Sequence, residues 1–137
     1  MEITYPMNRF ILDYSPNEIA KQLCDQHIVK MPLEEAQMLC TAVRVHAPDY
    51  AERHGLYKTA YKNHPCTIWC RESRPNFEYA VQLFKSMLEE YTNRYNKHHA
   101  SGRHLNALTD AIDLMPEGDF TKHPQCFSGH DDCKTNE

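Results

Sequence analysis

The feature that most constrains the fold is an apolar stripe between Pro75 and Gly102. Phe77, Ala80, Val81, Phe84, Leu88, Tyr91 and Tyr95 step by three or four residues, which is the repeat of one face of an α-helix. Pro75 suits the first turn of such a helix. Glu78, Lys85, Glu89 and Arg94 fall on its other face and read as solvated surface. A helix with one apolar stripe must bury it against further elements, and the rest of the chain offers more helices.

Residues 7–14 are short and apolar and can be extended. Ser15-Pro16-Asn17-Glu18 then reads as a helix start, with Ser15 as cap, Pro16 at the first position and Glu18 completing a capping box. Ile19, Leu23, Cys24, Ile28 and Met31 keep helical spacing. Pro32 interrupts it, because an interior proline costs ~3 kcal/mol through a missing hydrogen bond and a steric clash. Either the helix kinks there or a second one begins. Leu33, Ala36, Cys40 and Val43 continue one face, Leu39 and Ala42 widen it, and the pattern fades by Pro48. Residues 48–64 read mostly as loop. Pro65 can start a short helix containing Trp69, Gly102 breaks the chain, and Leu105, Leu108, Ile112 and Met115 suggest one more short helix. The expectation is an all-α fold, a single compact helical domain over 7–116 followed by a polar tail over 117–137.

At 137 residues the chain suits one domain. No apolar run approaches the ~20 residues of a membrane span. Glycine occurs only four times, with no GxGxxG or GxxxxGK, which excludes a glycine-rich phosphate loop. The net charge of -4 hides an asymmetry: residues 53–103 hold 9 Lys/Arg against 4 Asp/Glu, between acidic ends. A basic middle permits a local anion-binding face on an acidic chain. The start of the chain shows no basic and apolar leader pattern, so the six cysteines read as free thiols in a reducing cytoplasm.

Three clusters can carry chemistry. The densest runs from Asp25 to Glu35. On an unbroken helix His27, Lys30 and Glu34 lie within ~60° of arc, from ~100° per residue. A helix beginning at Pro32 would instead put Glu34 in its first turn, where the dipole favours the ionised form. Both geometries leave a carboxylate near a basic group, and a plain charged stripe is the ordinary alternative. The second cluster, Asn63 to Arg74, combines His64, Arg71 and Arg74 with the single Trp69. An aromatic beside arginine suits base stacking and phosphate contact, while Trp69 as core is the competing reading. Cys66 and Cys70 lack a convincing second pair for a metal. The third cluster, His123, Cys126, His130 and Cys133, has zinc-competent ligands at knuckle-like density. Its spacing matches no standard site, and an ordinary polar tail with no metal is the better reading.

At Asp25-Gln26-His27 and Glu34 the chain resembles the phage pyrimidine-dimer DNA glycosylases of the endonuclease V family. It is most similar to a divergent viral branch that carries C/P-D-K/Q-H-V-V-K-M-P-L-E-x-x-Q-M, matched by Cys24 to Met38. The branch also carries N-H-P-C-T-x-W, matched by Asn63 to Trp69, and E-Y-x-x-R-Y-x-K-x-H, matched by Glu90 to His99. The similarity runs from about Met7 to Pro116. The resemblance implies a small helical domain, no cofactor, and double-stranded DNA with damaged pyrimidines as partner of a monomeric enzyme. It implies that the α-amine of the processed N-terminus attacks the sugar C1′ of the lesion, forming an imine that allows β-elimination. Glu34 matches the assisting glutamate, His27 a DNA-contacting histidine and Gln26 its neighbour. Leu33 and Gln37 stand where arginines are expected, and Lys30 can replace one of them.

The family-like start is Met7-Asn8-Arg9-Phe10, with six residues before it. An α-amine of pKa ~7.8 is about 14% unprotonated at pH 7, against about 0.04% for a lysine at ~10.4. If translation starts at Met7, the α-amine of Met7 or Asn8 is the expected nucleophile, and Lys30 competes only if its pKa falls by ~3 units. Arg44, His64, Arg71, Arg74, Arg94 and Lys97 are candidates for phosphate contact. A nucleotide- or modified-base-processing enzyme on the same scaffold, or a non-catalytic viral binding protein, are the alternatives.

Overall fold

The computed structural model describes residues 15–124. The stretch 7–14, Met7 and Asn8 included, lies outside them, as do Cys126, His130 and Cys133. Ser15 opens the first helix as expected. Its hydroxyl accepts the Glu18 N–H at 3.2 Å and Pro16 takes the first turn of α1 (Pro16–Gln22).

The single helical run expected from Ile19 to Met31 is instead two helices. Leu23 and Cys24 are extended, and Cys24 caps α2 (Asp25–His46) without a side-chain hydrogen bond. With no capping side chain, the break leaves little trace in the sequence. α2 then runs straight through Pro32, so no second helix begins there. Proline removes the N–H that the Ile28 carbonyl would take. Burial of Ile28, Met31, Pro32, Ala36 and Leu39 on one side offsets that loss.

Residues 48–53, expected to be loop, form α3 (Pro48–Arg53). Proline at its start and Gly55 after its end explain this. Gly55 is left-handed at φ 62°, and the Leu56 and Gly55 N–H groups return to the Ala51 and Glu52 carbonyls, a Schellman ending. The loop that follows is stapled to α2. The Thr41 hydroxyl donates to the Ala60 carbonyl and accepts from its N–H, both at 2.9 Å.

α4 (Pro65–Glu72) and α5 (Arg74–Tyr95) are where the proline and stripe signals place them. The break after α5 is made by Asn96, left-handed at φ 55°, and not by Gly102. Gly102 sits inside a 3₁₀ segment, Ala100–His104. α6 (Leu105–Asp110) and a 3₁₀ turn, Ala111–Leu114, follow.

Two apolar clusters hold these elements. Ile19, Ala20, Ile28, Met31, Leu83 and Met87 join α1 and the first half of α2 to the second half of α5. A larger cluster joins the second half of α2 to α3, α4, the first half of α5, and α6. The protein is an all-α single domain, with no strand among the described residues.

Residues 117–124 are coil, as the composition implies, yet they are tied down. Buried Asn76 donates to the Trp69 carbonyl and to Thr121 Oγ1, each at 2.9 Å, and accepts from the Thr121 N–H. Ser73 bonds the Asp119 carbonyl and His123 is buried. The cysteines also divide. Cys40 and Cys70 are buried and free, as expected. Cys24 and Cys66 are disulfide-bonded and are not free thiols. Both stand at helix starts, in the first turn of α4 for Cys66 and at the cap of α2 for Cys24, which the apolar spacing places within a helix.

Candidate active site on helix α2

The first two turns of α2 are held from outside by the end of α5. Arg94 donates to Asp25 Oδ1 at 3.0 Å and to Glu90 Oε2 at 2.8 Å. It also reaches the carbonyl of Ala20, which already accepts the Leu23 N–H, and that of Lys21 at the end of α1. One guanidinium thus joins three helices. Four residues further, His99 Nε2 bonds the Val29 carbonyl at 3.0 Å while its Nδ1 accepts the Ser101 N–H at 3.1 Å. That pairing fixes the neutral tautomer with the proton on Nε2. The contact falls on α2 one turn before Pro32, where the proline has weakened the helix ladder.

These bonds explain why two motifs occur together. Glu90, Arg94 and His99 belong to the later motif, and Asp25 and Val29 belong to the earlier one. The later motif grips the earlier.

Between the two grips lies an open depression of ≈ 550 Å³ lined by Asp25, Gln26, His27, Val29, Lys30 and Tyr95. Gln26 and Lys30 are exposed, and buried His27 closes the inner wall. Because α2 is unbroken, His27, Lys30 and Glu34 share one side of it, with Glu34 half-buried. Val29 and Leu33 are 47% and 39% exposed. Gln26, Lys30, Val29 and Leu33 together give this face both polar and apolar groups open to solvent.

The other candidates have different fates. Arg44 donates to the Leu56 and Tyr57 carbonyls, both at 2.7 Å, and to Glu52. The Arg44 hydrogen bond, with Lys58 nearby, lowers the Glu52 carboxyl from its ordinary pKa. Arg71 holds the Lys62 carbonyl at 2.6 Å. Arg74 reaches the Asp113 and Met115 carbonyls. His64 caps α4, its Nδ1 accepting the Cys66 N–H. Trp69 is 3% exposed and donates to the Thr121 carbonyl at 3.1 Å, so it is core and not a stacking platform. Lys97 is exposed in the loop after α5. His123 lies against the Trp69 ring and 3.7 Å from Cys66 Sγ, and among the described residues no metal-competent cluster forms.

The sequence reading missed Tyr95, which the stripe assigns to the core. It is 37% exposed because α5 outruns the elements that cover it. The reading also missed that Arg94 and His99 position α2. The signal was available in the joint presence of the two motifs.

The all-α domain thus presents Gln26, Lys30 and Glu34 together on one braced helix. The model of the pyrimidine dimer DNA glycosylase family matches residues 7–101, more than half of the chain, and the protein belongs to that family. No curated protein and no solved structure shows significant similarity to it. The matched span contains α1, α2, α4, α5 and both grips on the α2 motif.

Proposed function

We propose that the protein excises damaged pyrimidines from duplex DNA and then cleaves the abasic strand through an amine-derived imine. The observation that carries this reading is the continuity of α2 through Pro32, which sets Gln26, His27, Lys30 and Glu34 on one flank inside the family-matched span. In a chain that begins at Met7 or Asn8 the free α-amine attacks C1′, the glycosidic bond breaks and the base is protonated as it leaves; the C1′–O4′ bond then opens, nitrogen giving up a proton and O4′ taking one, to form the imine. Loss of the C2′ proton then expels the 3′ phosphate. Glu34 stabilises the cationic sugar and moves the protons. Lys30 is the second amine at the site. Gln26 and Lys30 contact the DNA directly.

Borohydride reduction in the presence of dimer-containing or abasic duplex tests the chemistry. The wild-type protein is expected to become covalently attached to DNA, and Glu34→Gln to lose strand cleavage. Full activity in Glu34→Gln overturns the role given to Glu34. A nucleotide-processing enzyme on the same scaffold is the second reading, favoured by one observation. Arg44, Arg71, Arg74 and Arg94 are all engaged within the fold, which withdraws four cations from the phosphate contacts a duplex binder needs. Failure to trap on any duplex, with the fold intact, would favour that reading.

A further inference from the structure

The basic middle of the chain must put its excess charge somewhere, and the arginines expected to display it do not. What remains lies beside the second half of α5. A groove of ≈ 610 Å³ is lined there by Lys85, Leu88, His98, His99, Arg103 and Leu105, among others. Lys85, Lys97 and Arg103 are exposed, and among the described residues none of them has a carboxylate within ion-pair distance. Arg103 is held in place without being neutralised. Its guanidinium lies 5.0 Å from the Tyr57 ring centroid and one nitrogen donates to the Ala100 carbonyl at 2.9 Å. Glu89 is the one acid in the lining, so cations predominate.

Leu88 and Leu105 line the groove between these cations. A sugar-phosphate strand has the complementary pattern, with apolar deoxyribose faces between regularly spaced anions. The groove is also joined to the candidate active site. His99 lines it and bonds the Val29 carbonyl, while Val29 and Tyr95 line the depression on the other side. Lys97 stands in the loop between the two.

We propose that this groove binds the DNA sugar-phosphate strand flanking the reacting nucleotide, with Lys85, Lys97 and Arg103 as its phosphate contacts. The proposal rests on the duplex-DNA reading above and places the electrostatic footprint on Lys97 of the later motif together with Lys85 and Arg103, which the motifs did not single out.

The test is a binding titration of the full chain on dimer-containing and undamaged duplex at several salt concentrations. Each phosphate contact adds ~0.9 to the slope of log K against log salt. Lys85→Ala and Arg103→Gln are each expected to flatten the slope by ~0.9 and the double variant by ~1.8. Lys122→Ala, beside the opposite end of α5 where Thr121 meets Asn76, is expected to leave it unchanged. Lys85 is exposed on a helix, so its replacement does not threaten folding. Unchanged slopes in both single variants overturn the proposal, and so does an equal effect of Lys122→Ala. Flattened slopes without borohydride trapping would support the groove while overturning the imine chemistry. No duplex binding by the wild-type protein overturns both.

Discussion

The two halves of α2 meet opposite fates. The first half, Asp25 to Glu34, packs one side on α1 and α5 and leaves Gln26, Val29, Lys30 and Leu33 to solvent. The second half, from Glu35, is covered by α3, α4, α6 and the loop stapled at Thr41. Both halves, and the segments packed on them, carry histidines, cysteines and arginines. Around the second half these groups are structural: Arg44 clamps a loop, Trp69 anchors residues 117–124, and Asn76 joins three segments. The difference teaches that the density of reactive residue types says little about function until burial is known. Arg44, Trp69, Arg71 and Arg74 of the closed half are taken up by backbone carbonyls, which must find partners when buried.

The strongest way to break this comparison is Trp69→Ala. If Trp69 is core, the substitution costs ~3–5 kcal/mol of stability, read by urea denaturation, and DNA binding below the unfolding range stays intact. Lys30→Ala is expected to do the reverse, with stability changed by less than ~0.5 kcal/mol and duplex affinity lowered. A stable Trp69→Ala protein that has lost DNA binding would return Trp69 to the interface and collapse the distinction.

Arg94 sharpens the comparison because it sits at the edge of the open half yet is 18% exposed in its side chain. Arg94→Ala is expected to lose ~1.5–3 kcal/mol, the range for hydrogen bonds to charged groups, since Glu90, Asp25 and the end of α1 all lose their shared donor. The salt slope of DNA binding is expected to hold. Lys97→Ala should keep stability and flatten the slope by ~0.9. A flattened slope in Arg94→Ala, with stability unchanged, would make it a phosphate contact after all.

Much of the fold is legible in the sequence, and the boundary of that legibility has physical causes. The stripe from Phe77 to Leu88 and the Ser15 cap are read correctly because periodicity and capping are local. The separation of α1 from α2 at Cys24 is not, since no capping side chain marks it. α3 is hidden because its burial reduces to Ala51, too little to make a pattern. The α2 flank is legible through its motif spacing, and the family match spans it. That Arg44, Arg71, Arg74 and Arg94 face inward toward carbonyls is not legible, because a guanidinium that clamps a loop and one that meets a phosphate look alike in one dimension.

The smallest expected effects are titrations confined to the closed half. Burial, with Arg103 adding to it, lowers the His104 imidazole below its ordinary 6.5, and its buried Nε2 has no hydrogen-bond partner among the described residues. Burial raises the Cys40 thiol from 9.0 to about 11, against weaker opposing effects of the Tyr57 backbone, Arg44 and Arg103. As pH falls below 6.5, the unfolded imidazole takes up a proton that the folded one still refuses. The unfolded state then binds more protons and stability drops. As pH rises past 9.0, the unfolded thiol ionises while the folded one stays protonated until about 11, so stability drops again over that interval and levels off above it. Each group contributes at most ~1.4 kcal/mol per pH unit. Replacing His104 by Phe keeps an aromatic edge against Tyr57, whose ring lies 4.3 Å away, and is expected to flatten the acid limb. Cys40→Ala is expected to flatten the alkaline limb. Urea midpoints across pH read both, and limbs that keep their slope in the variants would mean that these groups meet water in the folded state, which a closed half does not allow.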